Sequence, residues 1–330
     1  MNSLGEGRRR VGMADVARRA GCSVATVSHV INGTRAVSEQ TRQRVRSAIE
    51  ELGYVRNAAA RLLRTGTGDA VGILVLDISN PYFMKLARGA EDCLAEHGGT
   101  MILGSTDGQD SKEVSLISRL VSQSIKGLIV TPGPGTAKNL QLVSNEDFPV
   151  ILMTDEWDEA GCSTVGLDDT VGGRLAVERL ISRGCKRILM INGMQGMRHC
   201  ETRWAGAQQA ANGHDGVLVS ALWNTAGRAD TASLITAELH RTPEIDGIFC
   251  LNDMTALIAL KVLRAEGRKV PDDVAVIGYD DLAFASELMT PLTTIRQPSY
   301  RMGWAAMEVL LRGVTQHVVF RPELIVRESA

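Results

Sequence analysis

From Val71 onward the chain alternates short apolar runs with longer amphipathic stretches. The runs Val71–Leu76, Met101–Gly104, Leu128–Thr131 and Val150–Met153 have the length of strands, and a helical pattern over about Phe83–His97 separates the first two. A second series begins near Cys162, with strands near Ile188–Ile191, Val217–Leu222, Ile248–Leu251 and Val274–Ile277. A strand that is apolar throughout is buried on both faces, which requires a parallel sheet with helices packed on either side. Two such series predict an α/β chain with two lobes.

The first sixty residues follow a different rule. Val16, Ala17 and Ala20 form the apolar stripe of a short helix, and Gly21 supplies the permissive backbone of a tight turn. Ser23 is placed to cap a second helix, in which Val27, Val30 and Ile31 face inward at helical spacing. Val24, Ala25, Ser28 and His29 remain outward, a small smooth face sized for a DNA major groove. The pattern predicts a helix-turn-helix with Val24–Asn32 as recognition helix, although an ordinary helical hairpin shares its local features. Ser38 then caps a third helix with Val45, Ile49 and Leu52 inside and Gly53 at its end. Arg42, Arg44 and Arg46 line its other side, either as a solvated face or as phosphate contacts. Asn57 caps a further helix of about two turns, too short to be stable alone. Leu62 and Leu63 within it are either core or a minor-groove wedge.

Charge separates the same two regions. Residues 1–65 carry twelve Arg, no Lys and five carboxylates, a net +7 in a chain whose total is −2. A basic end on an acidic body is the electrostatic footprint of a nucleic-acid reader. No apolar run reaches the roughly 18 residues of a membrane span. Arg8-Arg9-Arg10 has no apolar run behind it, so no secretory signal is read and the expected location is cytoplasmic. The six Cys never fall in CxxC spacing, so reduced thiols are expected and a metal site is not.

Ligands of open α/β sheets bind beyond the carboxyl ends of strands. Asp77, Ser79 and Asn80 gather at such ends, as do Ser105, Thr106, Asp107 and Asp155. In the second series they are Asn192, Asn252, Asp253, Asp280 and Asp281. Tyr82, Phe83, Trp157 and Trp223 lie nearby. Carboxylates and amides beside aromatic faces suit a polyhydroxylated ligand, while Ser79, Asp107 and Asp253 read more simply as caps or loop residues. Arg198 and His199 either point to an anionic ligand such as a sugar acid or sit on the surface. The chain has no GxxxxGK[ST], HExxH or GxSxG, so neither catalysis nor a cofactor is expected.

The ordered words DVARRAGCSVATVSHVINGTRAVSEQTRQRV, ELGYVRNAAARLLRTG, VGILVLDISNPYF, CLNDMTALIAL, VPDDVAVIGYDD and PLTTIRQP resemble the lactose-repressor family of bacterial transcription regulators. The resemblance covers about residues 11–330, and the head is also similar to the purine-repressor branch. It implies a three-helix helix-turn-helix head over 11–56, a hinge helix and linker over 57–70, and a periplasmic-binding-protein-like core over 71–330. Lobe one is then about 71–167 with 296–320, and lobe two about 168–295 with 321–330. It implies a homodimer on palindromic operator DNA, with a small-molecule effector in the core cleft. Carried over position by position, Val24, Ala25 and His29 read base edges, and Ser23, Thr26 and Ser28 hold phosphates or brace the turn. Asn57 starts the hinge and Leu63 is the wedge. Phe83, Asp155, Arg203, Asn252 and Asp280 fall at cleft positions, with the Arg203 fork suited to gripping two ligand oxygens. Arg56 stands where the family has Pro before the hinge. No heptad tail follows, so a dimer is expected in preference to a tetramer.

The readings that compete are a repressor of carbohydrate or related catabolic genes relieved by a sugar or sugar-acid effector, a repressor that needs a nucleobase-like corepressor, a free solute-binding protein, and an enzyme. The basic head and the absence of a secretory signal count against the solute-binding protein, and the absent catalytic motifs count against the enzyme.

Overall fold

Among the described residues three helices build the head: α1 (Met13–Ala20), α2 (Val24–Asn32) and α3 (Glu39–Leu52). Their inward residues Val16, Ala17, Ala20, Val27, Val45 and Ala48 form one small core. Gly21, Gly33 and Gly53 end the three helices in left-handed backbone, which glycine adopts without a Cβ penalty. Ser23 caps α2 and Ser38 caps α3, each accepting from the amide three residues on. The computed structural model describes residues 11–54, 68–141, 143, 149–156, 162–223 and 228–330. Arg56, Asn57, Leu63 and Trp157 lie outside the described residues. The chain divides into two units, up to residue 66 and from residue 67.

Among the described residues the second unit contains two six-stranded sheets. In chain order its elements are β1 (Ala70–Val75), α4 (Pro81–Glu96), β2 (Thr100–Ser105), α5 (Asp110–Ser122), β3 (Gly127–Val130), α6 (Thr136–Leu140), β4 (Val150–Leu152) and β5 (Ser163–Leu167). Then come α7 (Asp169–Ser182), β6 (Arg187–Asn192), α8 (Arg198–Asn212), β7 (Leu218–Trp223), α9 (Arg228–Arg241), β8 (Gly247–Cys250), α10 (Asp253–Ala265) and β9 (Ala275–Asp280). Last are β10 (Thr293–Arg296), α11 (Ser299–Arg312), β11 (His317–Phe320) and β12 (Glu323–Ile325). The strand orders are β11-β5-β4-β3-β1-β2 and β12-β10-β9-β8-β6-β7. Every pairing is parallel except β10 with β12. The chain therefore passes between the sheets three times: after β5, after β10 and between β11 and β12.

One expectation needs correction. The strand after Cys162 does not open the second series; as β5 it lies in the first sheet, between β4 and β11. A turn between two lobes and a turn within one have the same local sequence signature, so only pairing separates them.

In each sheet's helical layer two helices approach until backbones touch. At the crossing of α7 and α8, a Cβ on Gly173 would strike the carbonyl of Arg203, and one on Gly206 the carbonyl of Thr170. Gly89 and Gly303 play the same parts between α4 and α11, against Tyr300 and Leu86. Overpacking such a contact costs about 1–3 kcal/mol or more. Gly206→Ala is therefore expected to lower the denaturation midpoint, whereas Gly213→Ala, with ordinary clearance from Ala210, is expected to leave it nearly unchanged. Urea titration of both variants checks this.

Candidate functional site

On the head, α2 presents Val24, 45% exposed, and Ala25 to solvent, with Ser28 and His29 half-buried beside them. The Ser23 hydroxyl accepts from the Thr26 amide at 3.1 Å and lies 2.9 Å from the Thr26 hydroxyl. Both residues brace the first turn. His29 Nδ1 lies 2.9 Å from the Thr34 hydroxyl, which fixes the ring and leaves Nε2 for another partner. Thr34 was not among the residues expected. Arg35 and Arg44 line the same shallow recess as Ser23, Thr26 and His29, so two cations flank the start of α2. Arg42 leans toward Glu39 at 3.7 Å, a weaker claim to a phosphate than that of Arg44.

The core carries a cavity of about 280 Å3, near the lower end of the roughly 300–1,000 Å3 typical of small-molecule sites. It lies at strand carboxyl ends, where caps start several helices. Asn80 caps α4 by accepting from the Tyr82 amide, which seats Tyr82 and Phe83 at the wall. Asp168 caps α7 and puts Asp169 in its first turn. Asn252 caps α10, its Oδ1 accepting from the Thr255 amide and hydroxyl at 2.8 Å each. Phe83, Asp155, Arg203, Asn252 and Asp280, distant in sequence, all line this one cavity. Both lobes contribute to it. Arg198 donates to Asp155 at 2.9 Å and to Glu156 at 2.6 Å. The Asn80 amide lies 3.5 Å from Asp280, a long and weak hydrogen bond across the cleft.

Arg203 is 5% exposed. Its Nε donates to Asp169 at 2.8 Å and its Nη1 to the Leu251 carbonyl at 2.8 Å. Its guanidinium lies 3.6 Å from the centroid of the Tyr279 ring, whose hydroxyl donates to Asp169 at 2.7 Å. The fork expected to grip two ligand oxygens is thus largely committed to the protein, and Nη2 is the nitrogen left without a partner among the described residues. Asp169 and Tyr279 were missed by sequence reasoning; they sit 110 positions apart and no local pattern joins them.

Asp280 and Asp281 hold left-handed backbone, at φ 107° and 52°, a strained geometry for residues with a Cβ. Asp280 accepts from Gln297 at 2.6 Å, and burial pushes its carboxyl up to about 7. Asp253, fully buried, is not a cap, since Asn252 holds that place: it accepts from the Leu282 amide at 2.7 Å and the Thr294 hydroxyl at 2.6 Å. Burial, with the Asp280 charge second, raises Asp253 to about 8. His199 is pushed down to about 3, first by burial and then by the Arg203 charge, so it is neutral. Ser79, Ser105, Thr106, Asp107, Trp223, Asp253 and Asp281 do not line the cavity. Asp281 instead pairs with Arg296 and Arg327 at 2.7 Å each. Among the described residues no three His, Cys, Asp or Glu side chains are grouped to hold a metal ion, and no helix is long and apolar enough to cross a membrane.

Asp169, raised by burial in spite of Arg203, acts in the same direction as Asp253 and Asp280, and those two set the pH window. The folded state binds their protons more tightly than the unfolded chain, where Asp titrates near 3.9. Their contribution is most favourable below about pH 4, and is lost as pH rises through about 7 to 8. Asp281, whose pKa is lowered because Arg327 and Arg296 outweigh its burial, and His199, pushed down to about 3 by burial, act in the opposite sense: Asp281 at the acid end, and His199 by adding stability as pH rises toward its unfolded value near 6.5, so the net fall is steepest above about pH 6.5. Tm is expected to fall between pH 5 and pH 8, and Asp280→Asn to flatten that fall. Differential scanning calorimetry across this range is the check.

Residues 12–57 match the bacterial regulatory proteins of the lacI family, and residues 68–321 match the periplasmic binding proteins and sugar binding domain of the LacI family. The HTH-type transcriptional repressor PurR of Photobacterium profundum is 34% identical over 96% of this chain and 97% of its own length. A solved complex of the transcriptional regulator CelR with cellobiose is 31% identical, with a TM-score of 0.70, covering 97% of this chain and 100% of that one. The fold is also that of the lac repressor dimer solved on its operator with an anti-inducer, at a TM-score of 0.84 and 23% identity, covering 97% of this chain and 99% of that one.

Proposed function

Because the chain belongs to the lacI family of bacterial regulatory proteins, we propose that it is a sequence-specific DNA-binding repressor switched by a small, sugar-like effector. One observation carries the switch: the cavity is walled by both lobes, with Asp155 and Phe83 on one side and Arg203, Asn252 and Asp280 on the other. A ligand that contacts both lobes binds one lobe arrangement more tightly, and it shifts the equilibrium by that difference alone.

In this reading Val24, Ala25 and His29 read base edges, and Ser23, Thr26 and Ser28 hold the backbone. Asn57 and Leu63 complete the DNA surface from the hinge. The protein works as a homodimer in the cytoplasm on a palindromic operator, controls carbohydrate or related catabolic genes, and catalyses no reaction. The likeness to PurR favours a second reading, in which a nucleobase acts as corepressor. Selection of bound sequences from random duplex DNA tests the first claim, and an inverted repeat is expected to emerge. Thermal shift with sugars against nucleobases separates the two effectors.

A further inference from the structure

The cavity wall contains two guanidinium groups, and both are already neutralised. Arg203 is paired with Asp169 at 2.8 Å. Arg198, at the start of α8 in lobe two, is held by two carboxylates from the end of β4 in lobe one: Asp155 at 2.9 Å and Glu156 at 2.6 Å. No other Lys or Arg lines the cavity among the described residues, while Asp77 and Asp280 add further carboxylates to its wall. The imidazole of His199 is neutral and brings no positive charge.

We propose that Arg198, Asp155 and Glu156 form a selectivity element that excludes anionic ligands, so that the effector is an uncharged hydroxylated molecule. This rests on the regulator reading given above. An incoming carboxylate or phosphate finds no cation that lacks a carboxylate partner. To take Arg198 it must displace two carboxylates tethered to the protein. That displacement strands Asp155, whose side chain is only 21% exposed, near the Asp169 carboxylate. A stranded, partly buried charge is costly, and the ligand's own charge adds repulsion. A hydroxyl faces neither penalty. It donates to Asp155 without breaking the pair and accepts from the groups the wall leaves open. Apart from Nη2 of the paired Arg203 these are neutral: Thr131 Oγ1, buried and without a partner among the described residues, the Asn252 amide nitrogen and the Tyr82 hydroxyl. The apolar face of Phe83 covers ring C–H groups.

The test is a charge-matched panel on the full-length protein, read by thermal shift and calorimetry. D-Glucose, D-galactose, D-ribose and cellobiose are compared with D-gluconate, D-glucuronate, D-galacturonate and glucose 6-phosphate. At least one neutral sugar is expected to stabilise the wild type, with each acid bound at least 100-fold more weakly. Glu156→Gln, at a side chain 69% exposed, is expected to release Arg198 in part and narrow the gap between acid and neutral parent at least tenfold. Arg198→Met in that background is expected to restore the gap. Asp155→Asn offers a second route to the same release should Glu156→Gln lose its fold by circular dichroism. An acid that binds the wild type as tightly as its parent sugar overturns the proposal. So does a panel in which no neutral sugar binds, or a ratio unmoved in both released variants. Failure to select any operator, with the charge discrimination intact, rejects the regulator reading and leaves the selectivity element standing.

Discussion

Arg203→Met is expected to cost about 3–5 kcal/mol of stability and to abolish the response to effector, the stability figure being typical for removing one partner of a buried ion pair. The cost comes from what is left behind. Asp169, nearly buried, keeps the Tyr279 hydroxyl but loses its cation, and the Leu251 carbonyl loses its donor. Met retains the stem and much of the packing on Tyr279, so the loss reports charge and hydrogen bonding more than volume. Adding Asp169→Asn removes the stranded carboxylate and is expected to return part of the stability. It is not expected to return ligand-induced stabilisation, because Nη2, the nitrogen without a partner among the described residues, is still gone. Chemical denaturation and ligand thermal shift on the single and double variants separate the two effects. Operator binding below the lowered melting point is expected to persist, since no head residue has changed.

The second large effect is expected at the recognition helix. Ala25→Glu places a carboxylate on the exposed first turn of α2, where the neighbouring cations are Arg35 and Arg44. In the major groove that charge opposes phosphate and base acceptors alike, so specific binding is expected to fall by at least 100-fold. Fold stability should hold, because an acidic side chain in a helix's first turn is favourable. His29→Ala is expected to relax choice at one base pair, at about 1–3 kcal/mol for a good base contact. Arg44→Ala should weaken all sequences alike and reduce the salt slope by about one. Gel shifts at two salt concentrations on matched and mismatched duplexes distinguish the three.

Much of this molecule is readable from its chain because the controlling signals are local. Val71–Leu76 reads as a buried strand because every position is apolar, and Ser23 reads as a cap because a hydroxyl must meet an exposed amide. The turn at Cys162 was misread because its sheet partner, β4, lies outside any local window. The site divides in the same way. Asn252 and Asp280 stand out as polar residues after apolar strands. Asp253 follows an equally ordinary cap pattern, and only the tertiary fold brings Leu282 and Thr294 to it. Arg203 was legible only through family resemblance, and even that did not reveal its partners Asp169 and Tyr279. Arg198 was visible as a cation, but its neutralisation by Asp155 and Glu156 depends on two lobes meeting.

The central claim is that occupancy of the cleft alters affinity for DNA. The direct measurement is fluorescence anisotropy of a selected inverted-repeat operator, titrated with protein in the absence and in a saturating concentration of whichever neutral sugar stabilises the wild type. The account predicts that the operator Kd changes at least tenfold, about 1.4 kcal/mol of coupling, and that the change disappears in Arg203→Met. A sugar that binds the wild-type cleft while leaving the operator Kd unchanged would contradict it.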